Sequence, residues 1–194
     1  MDVSGVILSG GENTRMGMNK AFIEIKGKRI IDWIVELLNA LFPEVIIVTN
    51  TPLDYAYLNA RIAVDIIPHK SSLGGIYTGL FYSTHPHSLV VACDMPFLKK
   101  EVIEYLVEKI DNHDVVIPHL NDGLHPLLAI YSRRCLPFIE RLIEKDDLKI
   151  IHFFKRVRVR EVKEGEIIQL DPQLSSFLNI NTPEDLKKIE EMNL

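Results

Sequence analysis

The chain has 194 residues, of which 47% are hydrophobic and 25% charged, and 22 Lys+Arg against 27 Asp+Glu leave a net charge of −5. This is the make-up of one globular domain, which buries roughly 70% of its unfolded surface and folds without a structural metal or disulfide. It sets aside a general nucleic-acid binder, which carries a basic excess, and the lack of any apolar run near 18 residues sets aside a membrane span.

The two cysteines, Cys93 and Cys135, lie in apolar surroundings. A disulfide framework is not expected, and a reducing cytoplasm is. Met1-Asp2-Val3-Ser4 places no basic stretch ahead of the first apolar run, so no signal peptide is expected.

Val3–Leu8 is a short apolar run ending in Ser9-Gly10-Gly11, a buried strand entering a turn. Ile30, Ile31, Trp33, Ile34, Leu37, Leu38 and Leu41 share one wide face of a helix over Ile30–Leu41. Residues 44–49 form a β-branched strand, and 61–67 are expected to form another. Residues 75–83 read as a helix behind a glycine-rich turn, and 88–93 as a clear strand. The helix over 99–110 turns Val102, Ile103, Leu106, Val107 and Ile110 inward. Strands over 114–118 and 127–131 flank the turn signal Asn121-Asp122-Gly123. Residues 134–144 and 148–154 read as helices, 157–162 as a strictly alternating strand and 177–180 as a last strand. The last helix, 183–192, is capped by Thr182, with Pro183 in its first position and Asp185 three residues after the cap.

Alternation of helices with continuous apolar strands implies an α/β fold with a mostly parallel sheet covered on both faces. The stretch after Gly123 is less regular and implies some antiparallel pairing. With no repeat, low-complexity tract or linker, residues 1–194 are expected to form a single domain.

In such sheets, ligands bind beyond the carboxyl ends of the strands. The first strand is followed by Leu8-Ser9-Gly10-Gly11-Glu12-Asn13-Thr14-Arg15-Met16-Gly17-Met18-Asn19-Lys20. Glycines let backbone N–H groups close around an anion, and Arg15 and Lys20 neutralise it. The loop has phosphate-binding chemistry, but neither the Walker Gly-Lys-Ser/Thr nor Gly-x-Gly-x-x-Gly is present. The 88–93 strand runs into Asp94-Met95-Pro96, where a carboxylate either binds Mg²⁺ or caps the next helix. The Gly74-Gly75 pair opens a helix and either admits a base or ribose closely or makes a plain turn. Asn50 ends another strand and either hydrogen-bonds a ligand or caps the next helix. His125-Pro126 follows the Asn-Asp-Gly turn. Asn179 and Asn181, two apart on a strand, share a face and either line a pocket or satisfy loop backbone. Arg156, Arg158 and Arg160 also share a face, which reads first as the charged flank of an edge strand and second as an anion dock. The other histidines form no metal-ligand pattern.

Leu8-Ser9-Gly10-Gly11 with Arg15-Met16-Gly17 and Lys20 resembles the nucleotidyltransferase signature Leu-Ala-Gly-Gly-x-Ser-x-Arg-Met-Gly-x-x-Lys. Cys93-Asp94-Met95-Pro96-Phe97, His125-Pro126 and Asn179-Ile180-Asn181-Thr182-Pro183-Glu184-Asp185-Leu186 resemble later motifs of the MobA-type molybdenum cofactor guanylyltransferases, in the same order. The resemblance implies a Rossmann-like three-layer fold and transfer of GMP from GTP to molybdopterin, with Mg²⁺ as cofactor. Partner proteins that supply or accept the cofactor are implied with it. By position, Leu8, Ser9, Gly10 and Gly11 would meet the nucleotide through backbone, with Lys20 and Arg15 on its phosphates. Asn50 and Asp65 would face base or ribose, Asp94 would hold Mg²⁺, and His125, Asn179 and Asn181 would face the acceptor.

Two departures stand out. Ser9 replaces the usual Ala, and Ser71-Ser72-Leu73-Gly74-Gly75 stands where Gly-Pro-Leu-Ala-Gly is common. Two other readings therefore stay open: a nucleotidyltransferase using CTP or a sugar-phosphate acceptor, and a non-catalytic nucleotide-binding module.

Overall fold

In the computed structural model, residues 2–10, 19–180, 182 and 185 are described. The chain runs β1 (Val3–Leu8), β2 (Glu24–Ile25), β3 (Lys28–Arg29), α1 (Ile30–Leu41), β4 (Val45–Val48), β5 (Arg61–Ala63), α2 (Ser71–Tyr82), β6 (His87–Ala92) and α3 (Lys100–Glu108). It continues through β7 (Val115–Leu120), β8 (Gly123–Leu124), β9 (Leu128–Ser132), α4 (Leu136–Glu144), β10 (Val159–Lys163) and α5 (Glu164–Ile167). Short 3₁₀ turns lie at Lys20–Phe22, Pro52–Tyr55, Arg133–Cys135, Ile150–Arg156 and Ser175–Phe177.

The main sheet has the order β10-β7-β9-β6-β1-β4-β5, with β8 paired to β7. Along that order only β9 is antiparallel to its neighbours, so the sheet is mostly parallel, as the strand–helix alternation implies. β1 is buried along its whole length, because helices cover both faces. Val3 and Ile7 point into a core built with α1 and α3, while Val6 and Leu8 point into a second core with α2 and α4. Fully burying each such aliphatic side chain contributes about 1.5–3 kcal/mol, so β1 stabilises both cores at once.

The helix over Ser71–Tyr82 starts earlier than the expected 75, and its first turn closes through Gly74 N–H to Lys70 O at 3.0 Å. Gly74 and Gly75 are therefore inside the helix, not ahead of it. Their use is close packing. A Cβ on Gly75 would stand 3.2 Å from Leu8 Cδ2, and one on Gly79 would collide with Val6 Cγ1. The helix thus lies directly on β1.

Other expectations are corrected. β5 ends at Ala63 rather than 67, since it is the sheet edge and Val64 and Ile66 already face solvent. Residues 148–154 form no α-helix; the 3₁₀ turn Ile150–Arg156 stands there and buries Phe153. Residues 177–180 are not a strand. They leave the Ser175–Phe177 turn, and Ile180 is buried while its N–H donates to Asp94 O at 3.0 Å. One backbone bond and one buried side chain satisfy a segment whose apolar pattern looked like a strand. The β2–β3 hairpin and α5 were not foreseen, being too short for any periodicity.

The 183–192 helix lies outside the described residues except for Asp185. The cap expected for it is present. Thr182 N–H donates to Asp185 Oδ2 at 2.9 Å, and Asp185 N–H donates to Thr182 Oγ1 at 3.1 Å.

Candidate active site

The carboxyl ends of β1 and β4 open on a cavity of about 690 Å³. Leu8, Ser9 and Gly10 form one wall, and Thr49, Asn50 and Thr51 another. Asp65, beyond β5, and Ser71, Ser72 and Gly75 at the start of α2 close it. Leaving the strand at Ala63 is what lets the chain carry Asp65 back to this cavity. Asn50 Nδ2 donates to Asp65 Oδ2 at 3.2 Å. Asp65 Oδ1 is buried without a hydrogen-bond partner. Burial pushes the Asp65 carboxyl above its ordinary pKa, while the Asn50 amide and the Thr78 hydroxyl pull the other way. A buried acceptor left unpaired costs about 1–3 kcal/mol, so this oxygen favours a ligand that brings a donor.

Next to the cavity, Cys93 N–H donates to Leu8 O at 3.1 Å, which ties the end of β6 to the end of β1. Asp94 follows at once. Its Oδ2 lies 3.3 Å from Lys20 Nζ, and its Oδ1 is buried with no partner. One carboxylate oxygen is thus neutralised by a cation and the other is buried and unpaired. Among the described residues, no three His, Cys, Asp or Glu side chains gather as a metal cluster. A single buried carboxylate oxygen still fits Mg²⁺, which takes one or two protein carboxylates and fills its octahedron with phosphate and water oxygens. Burial pushes the Cys93 thiol up to about 11, so it stays protonated at neutral pH and is no thiolate ligand or nucleophile.

A family model described as a MobA-like NTP transferase domain matches residues 5–160. The chain belongs to that family. A molybdenum cofactor guanylyltransferase from Desulfosudis oleivorans is 43% identical over 190 residues, covering 97% of this chain and 94% of the relative. The crystal structure of molybdopterin-guanine dinucleotide biosynthesis protein A from Archaeoglobus fulgidus is 32% identical, with a TM-score of 0.84 over 97% of each chain. A 2-C-methyl-D-erythritol 4-phosphate cytidylyltransferase from Thermus thermophilus shares the fold at 15% identity, with a TM-score of 0.71 over 98% of each chain.

In this MobA-like NTP transferase the segment ending at Ile180 is tied to Asp94 and touches His125. The Ile180–Asp94 backbone bond brings in the segment that carries the exposed Asn179. Phe177 meets the His125 ring edge-on at 4.9 Å between centroids. The His125 Nε2 atom lies 2.9 Å from Asp122 Oδ1, and its backbone N–H donates to Pro118 O at 3.0 Å, so the imidazole is held by the β8 turn. Gly11, Arg15 and Asn181 lie outside the described residues.

The arginine stripe does not reach this site. Arg158 Nε pairs with Asp114 Oδ2 at 3.3 Å, at the amino end of β7, the opposite end of the sheet from Asp94. Arg160 pairs with Glu166 at 2.7 Å. Arg160 lies on edge strand β10 and Arg158 immediately before it, in keeping with a charged flank that resists strand addition.

Two contributors had no visible signal in the sequence. Asp171 has no exposed surface, and Lys99 Nζ at 2.8 Å, Ser175 Oγ at 2.9 Å and Ser176 N–H at 2.8 Å all donate to it. Since Ser176 Oγ also accepts from Lys99 N–H at 3.0 Å, the loop carrying Asp94 is braced at both ends by the 171–180 segment. Tyr55 is the second; it lies buried behind Ser9.

Proposed function

We propose that this MobA-like NTP transferase moves GMP from GTP to the terminal phosphate of molybdopterin, forming the guanine dinucleotide and releasing pyrophosphate. The observation that carries the reading is the Lys20–Asp94 pair with its unpaired carboxylate oxygen, set beside a cavity whose lining includes Asp65. The name of the Desulfosudis relative supports the donor and the acceptor.

An oxygen of the acceptor phosphate attacks the α-phosphorus of GTP. A new P–O bond forms, the bond to the β-phosphate breaks, and pyrophosphate carries off the electron pair. The attacking oxygen is already anionic at neutral pH, so no strong general base is needed. The obstacle is repulsion between two anions, and catalysis is positioning plus charge neutralisation. Lys20 neutralises phosphate oxygens, and Arg15 is assigned the same work. Asp94 Oδ1 would hold Mg²⁺, which supplies further positive charge between the phosphates. Asp65 and Asn50 offer an acceptor and a donor to the base or ribose, and the backbone of Leu8, Ser9, Gly10 and Gly11 is assigned to the nucleotide. His125, Asn179 and Asn181 are assigned to the pterin side, where amide groups match donors and acceptors at a ring edge. Among the described residues no helix is long and apolar enough to cross a membrane. We place the reaction in the cytoplasm on a different ground, the two free cysteines that a reducing compartment keeps as thiols.

The test is the purified protein with Mg²⁺, GTP and molybdopterin, run beside CTP and beside sugar 1-phosphates. Guanine dinucleotide and pyrophosphate are expected from the first mixture alone. Pyrophosphate with a sugar phosphate and none with molybdopterin would refute the acceptor.

A further inference from the structure

Ser9 and Asn19 bracket the glycine-rich stretch in sequence, and their side chains meet at one atom. Ser9 Oγ lies 2.6 Å from the Tyr55 hydroxyl oxygen, and Asn19 Nδ2 donates to that same oxygen at 2.7 Å. Tyr55 has no exposed surface; the Pro52–Tyr55 turn after β4 delivers it, and its ring rests against Phe22 at 5.0 Å between centroids. Burial holds the phenol above its ordinary pKa, so it keeps its proton and can accept from Asn19 while sharing a hydrogen with Ser9.

Each end of this link is anchored. Ser9 N–H donates to Val48 O at 2.8 Å, which fixes Ser9 to β4. Asn19 Oδ1 accepts Ala21 N–H at 3.1 Å and caps the Lys20–Phe22 turn. A backbone N–H can only donate, so the oxygen of the Asn19 amide must face Ala21 and its nitrogen must face Tyr55. The bonds therefore run from β4 through Ser9, Tyr55 and Asn19 to the turn that launches Lys20, whose ammonium ends 3.3 Å from Asp94. A lysine side chain has many rotamers, so its ammonium is placed only as well as its own backbone is. Ser9 stands where the resembled signature commonly has Ala, which has no hydroxyl to make this bond.

We propose that Tyr55 is a positioning residue of this enzyme: its hydroxyl joins Ser9 to Asn19 and so sets Lys20 opposite Asp94. The kinetic side of this proposal rests on the guanylyl transfer above. Its structural side does not.

Tyr55→Phe keeps the ring and removes the shared oxygen. Two measurements are made: amide hydrogen exchange at Ala21 in the ligand-free protein, and kcat and KM for GTP in pyrophosphate release per folded molecule. Tyr55→Phe is expected to speed Ala21 exchange about tenfold and lower kcat about tenfold, with KM for GTP within about twofold. Ser9→Ala, which keeps the Asn19 bond, is expected to shift both by about threefold, and the double variant to lose no more than Tyr55→Phe alone, because both act through one network. Wild-type Ala21 exchange or wild-type kcat in Tyr55→Phe overturns the proposal, as do fully additive losses in the double variant. If Tyr55→Phe does not fold, Ser9→Ala decides, and unchanged exchange there overturns it. A wild-type protein that releases no pyrophosphate from GTP with molybdopterin would sink the guanylyl transfer, while the exchange measurement still judges Tyr55.

Discussion

Lys20 Nζ stands 3.3 Å from Asp94 Oδ2 across 74 residues of sequence, the first leaving β1 and the second leaving β6. The two strands are parallel neighbours in register, Leu8 opposite Ala92, so both chains exit at the same edge. Each side chain is about a fifth exposed, at 23% and 16%, which leaves the pair accessible to a ligand from one side.

Asp94→Asn should leave the fold intact and lower turnover by about 100-fold or more, the scale of a lost charged contact in a transition state. On the proposed role, in which Lys20 meets charge that grows during transfer, Lys20→Ala should lower kcat more than it raises KM for GTP. Mg²⁺-dependent pyrophosphate release, with circular dichroism as the control for folding, checks both. Near-normal turnover in Asp94→Asn would remove this residue from the chemistry.

Base selection should depend on Asp65. GTP is expected to raise Tm more than CTP, UTP or ATP at equal concentration. Asp65→Asn swaps one of two acceptor oxygens for a donor, so the lead of GTP should shrink by about 1–3 kcal/mol of binding. Thermal shifts with the four nucleotides decide it, and an undiminished lead in the variant would assign the base to other groups.

The Asp171 clamp makes a prediction about pH. Burial alone would raise this carboxyl, but donation from Lys99, Ser176 and Ser175 outweighs it and holds the folded-state pKa below the ordinary value. A depressed carboxyl contributes stability that is present above the unfolded pKa, about 3.9, and is lost as pH falls through the folded value. Asp171→Asn should therefore cost about 1–3 kcal/mol at pH 7, with the gap to wild type closing only below about pH 4. Urea unfolding at pH 7, 5 and 3 measures it, and a gap that persists unchanged at pH 3 would contradict the account.

Gly79→Ala should destabilise by about 1–3 kcal/mol, the usual cost of overpacking, because the new methyl meets Val6 on the fully buried β1. Gly165→Ala is the control: a Cβ there meets nothing within 4 Å, and Ala should be neutral or stabilise by up to about 1 kcal/mol. Melting curves of the two variants suffice, and equal shifts would mean that α2 moves off the sheet at little cost.

The parallel sheet, its two covers and most of the cleft residues were legible before any coordinates. β1, β4 and β6 are continuous apolar runs, a pattern that only strands buried on both faces can satisfy. Ligand chemistry at the carboxyl ends of such strands is a property of the topology, so Gly10, Asn50, Lys20 and Asp94 could be named from their places after strands. The Thr182–Asp185 cap was legible too, because capping is decided within four residues.

What only the tertiary structure decided involves residues far apart in sequence. No periodicity tells that Ile180 would end on the Asp94 carbonyl instead of in a strand, that β5 stops at Ala63 to free Asp65, or that Gly75 and Gly79 serve packing against β1. Tyr55 and Asp171 were invisible for the same reason. A buried hydroxyl or carboxylate is defined by partners 36, 46 or 72 residues away, as Tyr55 with Asn19 and Ser9, and Asp171 with Lys99, show. Local sequence carries propensity, period and caps, whereas the satisfaction of a buried polar atom exists only once the chain has folded around it.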